Sequence, residues 1–200
     1  SEAVTLSGGN LVVTLETGST DRTVSISSIS SSTSATGTYT VQSGDASSDL
    51  TINSIALSAG TLSDGASNNM SSFSIPSGSN LADSEAFVVD GVVPTVSSVA
   101  ATTADGSYKI GDVIAVTISF SESVTVTGTP QLTLETGSAD AVVDYASGSG
   151  SVTLTFSYTI AAGHTSGDLD YASTSALALN SGSIKDAAGN DATLTLSEPG

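Results

Sequence analysis

The sequence lacks residues on which several classes of protein depend. It has no cysteine and no tryptophan among its 200 residues. Disulfides and thiolate-bound metals are therefore excluded. Its aromatic residues are only five Tyr and four Phe, too few to suggest the aromatic platforms and cleft of a carbohydrate-cleaving site. Stability must come from apolar packing, and the 38% hydrophobic content is sufficient for that.

Basic residues are almost absent. Arg22, Lys109 and Lys185 stand against 20 acidic residues, which gives a net charge of -17. Such a chain repels nucleic acid and anionic membrane surfaces, so neither is expected as a partner, whereas cations are. No apolar run approaches the roughly 18 residues of a membrane span, so membrane insertion is not expected either.

What the sequence does contain predicts an all-β protein. Apolar and small polar residues alternate, which is typical of strands with one buried face. The two clearest runs are Ile114, Val116, Ile118 and Phe120, and Val152, Leu154, Phe156, Tyr158 and Ile160. Short strands separated by turn compositions such as GTP, GSAD and SGSG predict a β-sandwich with Greek-key connections.

Two segments of the chain repeat each other. Residues 1–19 (SEAVTLSGGNLVVTLETGS) match residues 121–138 (SESVTVTGTPQLTLETGS), and from Thr14 the copies run at a spacing of 119. This period exceeds the roughly 20 to 50 residues of solenoid repeats and predicts whole domains in tandem. The proline that ends VVDGVVP cannot donate to a ladder and marks a boundary near Val93. We expect domains at residues 1–93 and 94–200.

Neither domain has a full set of the predicted strands. The first has no counterpart of residues 95–120, which supply two strands to the second. The second has no counterpart of residues 86–90 (AFVVD), which we interpret as a last strand. Either the chain is a window on a longer array, or strands are added from a neighbouring molecule. The expected partners are therefore neighbouring repeats of the same chain or neighbouring subunits, by strand pairing.

The first domain is expected to be the weaker one. At the spacing of 119, three core positions of the second domain fall on small or polar residues of the first: Val152, Leu154 and Phe156 on Thr33, Ala35 and Gly37. Each large-to-small loss in a core costs about 2 to 5 kcal/mol. Alternatively, the serine-rich residues 25–34 form a slipped or flexible segment.

Five motifs in order give the chain a resemblance to a known family. They are YKIGD (108–112), FSESVTVTGTPQLTLETG (120–137), GSGSVTLTFSYTIAAG (148–163), IKDAAGND (184–191) and FVVDGVVPTVSSV (87–99). The chain resembles the bacterial Ig-like tandem repeats of giant surface proteins, such as the extender regions of RTX-type and biofilm-associated adhesins. Domain 1 departs from the pattern at its serine-rich segment and at residues 64–69 (DGASNN). The resemblance implies Ig-like sandwiches in an extracellular or cell-surface spacer, often stiffened by calcium and without catalysis.

In an Ig-like topology, several acidic residues would converge at the junction between the domains. Asp90 lies in the linker, Glu122 follows the strand that ends there, and the IKDAAGND loop before the final strand brings Asp186 and Asp191. Calcium takes about six to eight oxygen ligands from carboxylates and carbonyls. We therefore predict a structural calcium ion held by these residues. The alternative is that they are solvated acids in turns.

Other chemistry is weakly represented. His164 is the only histidine, and it lies in a loop flanked by glycines. The equivalent residue of domain 1 is Asp45. No nucleophile, base and orienting group can be assembled, so the chain is not expected to be an enzyme. The remaining functions are a structural spacer or filament module, which the resemblance implies, and a ligand-binding, lectin-like adhesin module, which would need a cluster of exposed aromatics or an extra long loop.

Overall fold

The computed structural model describes residues 2–200, and its ladders are antiparallel throughout. One 3-10 helix, Leu81–Asp83, is the only helical element in this range, so the all-β prediction is confirmed. Chain contacts divide the molecule after Val92 into two compact units, unit 1 and unit 2. No helix within residues 2–200 is long and apolar enough to cross a membrane.

The described part of unit 1 contains seven short strands. They are β1 (Val4–Ser7), β2 (Leu11–Glu16), β3 (Arg22–Ile26), β4 (Ala46–Ser47), β5 (Thr51–Leu57), β6 (Thr61–Asp64) and β7 (Val89–Asp90). β2 lies between β3 and β5, while β1 pairs with β6 and β4 pairs with β7. Gly8 and Gly9, both at positive φ, form the turn from β1 to β2, a conformation that glycine adopts readily.

The core of unit 1 is small. Its main cluster consists of Leu15, Leu50 and Val89, with partly buried residues packed around them, and Ile29 and Leu62 are buried outside this cluster. Thr33, Ala35 and Gly37 are exposed and lie outside any strand, so this stretch leaves the sheet instead of thinning the core within it. Gly37 passes so close to β3 that a Cβ there would clash with Cγ1 of Val24.

Unit 2 contains eight strands, and its sheet is larger. They are β8 (Val96–Ala101), β9 (Val113–Thr127), β10 (Gln131–Glu135), β11 (Ala141–Ser147), β12 (Ser151–Thr159), β13 (Asp170–Tyr171), β14 (Leu177–Ala178) and β15 (Ser183–Lys185). The main path is β13-β10-β11-β12-β9-β15, with β8 also on β9 and β14 also on β10.

The long strand β9 joins two ladders. Its first part pairs with β8 and β12, and its last three residues pair with β15. The last part of β9 corresponds to β1 of unit 1, because β1 pairs with β6 as β9 pairs with β15. The first part has no counterpart among the described residues of unit 1, which explains why the stretch equivalent to β12 has no ladder there.

The core of unit 2 confirms most of the predicted strand faces. Ile118, Leu132, Leu154 and Phe156 are completely inaccessible to solvent. The prediction that Val152 belongs to this core is wrong, since its side chain is 46% exposed. The register between β12 and β9 shifts between Ser151 and Thr153, and an irregularity of this kind turns a side chain to the opposite face.

The predicted final strand after residue 191 is also wrong. Residues 192–200 contain no regular strand in the structure. This part of the chain makes isolated bridges instead, Lys185 with Asp191 and Thr95 with Thr193. The bridge between Thr95 and Thr193 is parallel, so it does not extend the antiparallel ladder from β15.

The repeated TLETGS sequence forms the same turn in both units. The buried hydroxyl of Thr17 donates to Thr20 O (2.9 Å), and that of Thr136 donates to Ala139 O (2.8 Å). In each copy the preceding glutamate accepts a hydrogen bond from the amide of the following glycine. The repeat in sequence is thus a repeat of local structure.

Candidate metal centre

Asp186 is the most rigidly held of the predicted ligands. It follows β15 and is 5% exposed. Its Oδ1 accepts the amides of Gly189 (2.7 Å) and Asn190 (2.8 Å), and its Oδ2 accepts Nδ2 of Asn190 (2.7 Å). Burial alone would raise the pKa of Asp186, but these hydrogen bonds outweigh burial and lower it. The carboxylate is therefore ionised and fixed in orientation.

Glu122 lies beside Asp186 within unit 2. It is a half-buried residue of β9, and one oxygen of its carboxylate lies within 4.8 Å of one of Asp186. Sequence reasoning places both residues together, and the structure brings them together because the end of β9 pairs with β15. Two carboxylates at this separation repel each other, and a cation bound between them would relieve this repulsion.

Asp191, the fourth predicted ligand, has a different partner. Its carboxylate forms an ion pair with Nζ of Lys185 at 2.7 Å, and its side chain is 75% exposed. It does not belong to the group of acids that contains Glu122 and Asp186. The bridge between Lys185 and Asp191 places these two oppositely charged side chains next to each other.

Asp90 belongs to unit 1. It is half-buried in β7, opposite Ala46 of β4, and its Oδ1 accepts the amide of Val92 at 3.1 Å. This bond holds the carboxylate against the short connection that ends unit 1. Asp90 is two residues from the last residue of the unit.

Unit 1 contains a second copy of the acid pair, which sequence reasoning missed. Asp64 follows the same pattern as Asp186: its Oδ1 accepts the amides of Ala66 and Asn68, and its Oδ2 accepts Nδ2 of Asn68. Hydrogen bonds from Asn68 are the main reason that the pKa of Asp64 is lowered, and Glu2 also contributes a side-chain hydrogen bond. Glu2 and Asp64 therefore occupy the places of Glu122 and Asp186.

A signal for this second pair was present in the sequence. The repeat spacing is 120 between Glu2 and Glu122 and 122 between Asp64 and Asp186, whereas the spacing found from Thr14 onward is 119. Ser67 takes the place of Gly189, and both have positive φ, 68° and 96°. The two loops, DGASNN at residues 64–69 and DAAGND at residues 186–191, thus share the aspartate, the asparagine that bonds it and the positive φ between them, although a serine replaces the glycine in unit 1.

The donor set of unit 2 fits a hard cation in part. A carboxylate has about four lone-pair positions, and Asp186 accepts hydrogen bonds from the amides of Ala188, Gly189 and Asn190 and from the side chain of Asn190. Oδ2 accepts one of these, from Nδ2 of Asn190, and is the oxygen through which Asp186 would bind a cation. Glu122 supplies a second carboxylate, and a calcium ion would complete its shell with carbonyls, water and further acids.

Asp45, a buried acid of unit 1, has structural partners. Asp45 is 1% exposed and accepts Nε of Arg22 (2.7 Å), the hydroxyl of Tyr39 (2.6 Å) and the amide of Gln42 (2.9 Å). In unit 2, His164 takes the place of Asp45, and its Nδ1 lies 2.9 Å from the hydroxyl of Tyr158. Both arrangements fix a tyrosine and provide no nucleophile.

No family model matches this chain, and searches of characterised proteins and of solved structures found no similar protein.

Proposed function

We propose that this chain is a structural spacer of an extracellular repetitive adhesin or surface filament, built from Ig-like sandwich repeats. In this proposal a calcium ion held by Glu122 and Asp186 of one repeat, with the linker residue Asp90 as a further ligand predicted from the sequence, stiffens the junction between repeats. The observation that carries it is the acid pair in unit 2, where Asp186 is ionised, buried and fixed by its own loop. The family resemblance of the sequence supplies the spacer role.

The recurrence of the pair supports the proposal. Glu2 with Asp64 in unit 1 repeats Glu122 with Asp186 in unit 2, including the asparagine that holds each aspartate. A solvated acid in an ordinary turn needs no partner from a distant strand. A pair that recurs with its supporting loop is instead part of the repeat, and a cation at each pair would connect one repeat to the acid that ends the preceding one.

A bound cation would also stabilise the folded chain. Binding to the native state alone adds RT ln(1 + [L]/Kd), about 2.7 kcal/mol when calcium exceeds Kd a hundredfold. It would also relieve the repulsion between carboxylates in a molecule of net charge -17. Calcium is thus expected both to raise the melting temperature and to narrow the range of orientations between the units.

The test compares the intact chain with Asp186→Asn and Asp90→Ala in calcium and in chelator. Isothermal titration should show calcium binding to the wild type and weaker binding to both variants. Melting curves and small-angle scattering should respond to calcium in the wild type only. Asp140→Ala is the matched control, since Asp140 is an exposed acid outside the group and its removal changes net charge equally.

Two results would overturn the calcium proposal. One is identical melting and scattering of the wild type in calcium and in chelator. The other is an equal loss of calcium response in Asp140→Ala and Asp90→Ala, which would show that only the total charge matters.

A further inference from the structure

The last strand of unit 1, β7, is held by three parts of the chain, namely β4, Gly44 and Leu50, which together we call the acceptor. β7 pairs with β4 through Ala46 opposite Asp90 and Ser47 opposite Val89. Beyond that ladder, the amide of Leu50 donates to Phe87 O (2.8 Å), and that of Gly44 donates to Gly91 O (2.8 Å). Val89 is 7% exposed and packs with Leu15 and Leu50. The acceptor thus offers an edge of backbone groups and a pocket for one apolar side chain.

Unit 2 contains the same acceptor at the repeat spacing of 119. Gly163 replaces Gly44, Leu169 replaces Leu50 and Leu134 replaces Leu15. Its local conformation is also the same. The amide of Thr165 donates to Thr136 O at 2.9 Å, as the amide of Ala46 donates to Thr17 O at 2.9 Å in unit 1.

In unit 2, Leu134 and Leu169 line an open cleft of about 690 Å³, as does His164, which follows Gly163. At the place that corresponds to the position of Val89 in unit 1, the walls of this cleft are the apolar side chains of Leu134, Tyr158 and Leu169. The amides of Gly163 and Leu169 donate to no protein acceptor among the described residues, although their counterparts in unit 1 hold β7. Backbone edges of this kind accept a further strand, with main-chain hydrogen bonds giving affinity and side-chain pockets giving specificity.

We propose that this cleft is the acceptor for an added β-strand, supplied by another repeat of the same type and carrying the pattern of residues 86–91 (AFVVDG). The apolar residue at the position of Val89 enters the pocket between Leu134 and Leu169. The carbonyls at the positions of Phe87 and Gly91 accept the amides of Leu169 and Gly163. The residue at the position of Val88 faces outward, as Val88 does at 74% exposure.

The test uses the intact chain and a synthetic peptide of residues 84–92 (SEAFVVDGV), in chelator so that calcium plays no part. Two-dimensional amide NMR should show shifts at Gly163, His164 and Leu169. Hydrogen exchange of the Gly163 and Leu169 amides should slow by at least about tenfold, because each gains a partner. Gly44 and Leu50 serve as the internal control, since β7 already covers them.

A second peptide, with aspartate at the position of Val89, keeps the test independent of protein folding. It preserves every backbone group but places a charge in the apolar pocket, so its shifts should be lost. The proposal is overturned if neither peptide perturbs the cleft, if both do so equally, or if the shifts map to unit 1. Concentration-dependent shifts of the same amides without peptide would also support the proposal, because a second copy of this chain is itself a repeat that carries residues 86–91.

Discussion

At the scale of residues, the two units hold an equivalent tyrosine hydroxyl with different side chains. A tyrosine hydroxyl is held by Asp45 in unit 1 and by His164 in unit 2. The buried carboxylate needs a cation and has Arg22. At the spacing of 119, His164 of unit 2 has buried Ala141 in the place of that arginine. The substitution is therefore coupled, because a buried carboxylate without its partner is strongly unfavourable.

The Asp45 cluster gives unit 1 a defined pH dependence. Burial would raise the pKa of Asp45, but bonds from Tyr39, Gln42 and Arg22 lower it below the usual value. A folded pKa below the unfolded value, about 3.9, stabilises the fold above that pH, and the stabilisation is lost as the pH falls further. Burial and Asp45 raise the pKa of Tyr39 to about 12, so its contribution is lost between about pH 10 and 12.

We therefore expect unit 1 to be most stable between about pH 4 and pH 10. Chemical denaturation at pH 7 and pH 3 measures the acid side. Asp45→Asn should lower stability at pH 7 and reduce the difference between the two pH values. Asp21→Asn is a control outside the cluster, since Asp21 is exposed and bonds only Asn53 among the described residues. An unchanged acid dependence in Asp45→Asn would contradict this assignment.

A second prediction at residue scale concerns the glycine of the repeated turn. Gly18 has φ 100°, and a Cβ there would lie 2.9 Å from Ala46 O. Gly44 has φ 85° but no atom within 4 Å of such a Cβ. Alanine is strained at either site, at about 1 to 2 kcal/mol, and only at Gly18 must the backbone also move.

Gly18→Ala is accordingly expected to cost more than Gly44→Ala, by about 1 kcal/mol or more. Urea denaturation of the two variants in parallel measures the difference. Equal costs would show that the turn yields without strain and that the close approach to Ala46 is unimportant.

At the scale of elements, the difference between the units comes from one half of one strand. The first part of β9 gives β12 a partner and contributes Val116, Ile118 and Phe120 to the core of unit 2. The described residues of unit 1 contain no equivalent, so the stretch around Thr33 to Gly37 is exposed. Unit 1 buries only five apolar side chains among its described residues, Leu15, Ile29, Leu50, Leu62 and Val89, which is little apolar burial to offset the entropy of folding.

Unit 1 should therefore melt before unit 2. Leu15 and Leu134 are equivalent residues and are 5% and 2% exposed. Leu15→Ala should lower the first calorimetric transition and Leu134→Ala the second, each by about 2 to 5 kcal/mol of stability. A single transition that both variants shift equally would show that the units unfold together.

At the scale of the whole molecule, the charge sets the background for any cation effect. A net charge of -17 destabilises a compact chain through self-repulsion, and any salt reduces this by screening. The calcium experiment therefore needs an ionic-strength control: about 5 mM calcium chloride against about 15 mM sodium chloride. Screening acts equally in both, so only a bound ion gives calcium the larger effect.

Alternation and spacing are properties of the chain alone, so they sufficed to predict the all-β class, the repeat and most of the core. They also placed Glu122 beside Asp186. Features that depend on strand pairing became visible only in the folded structure. The register shift in β12 exposes Val152, Asp191 forms an ion pair with Lys185, and the pairing of β1 with β6 accompanies the second acid pair in unit 1. These outcomes follow from contacts between residues distant in sequence, which no local pattern records.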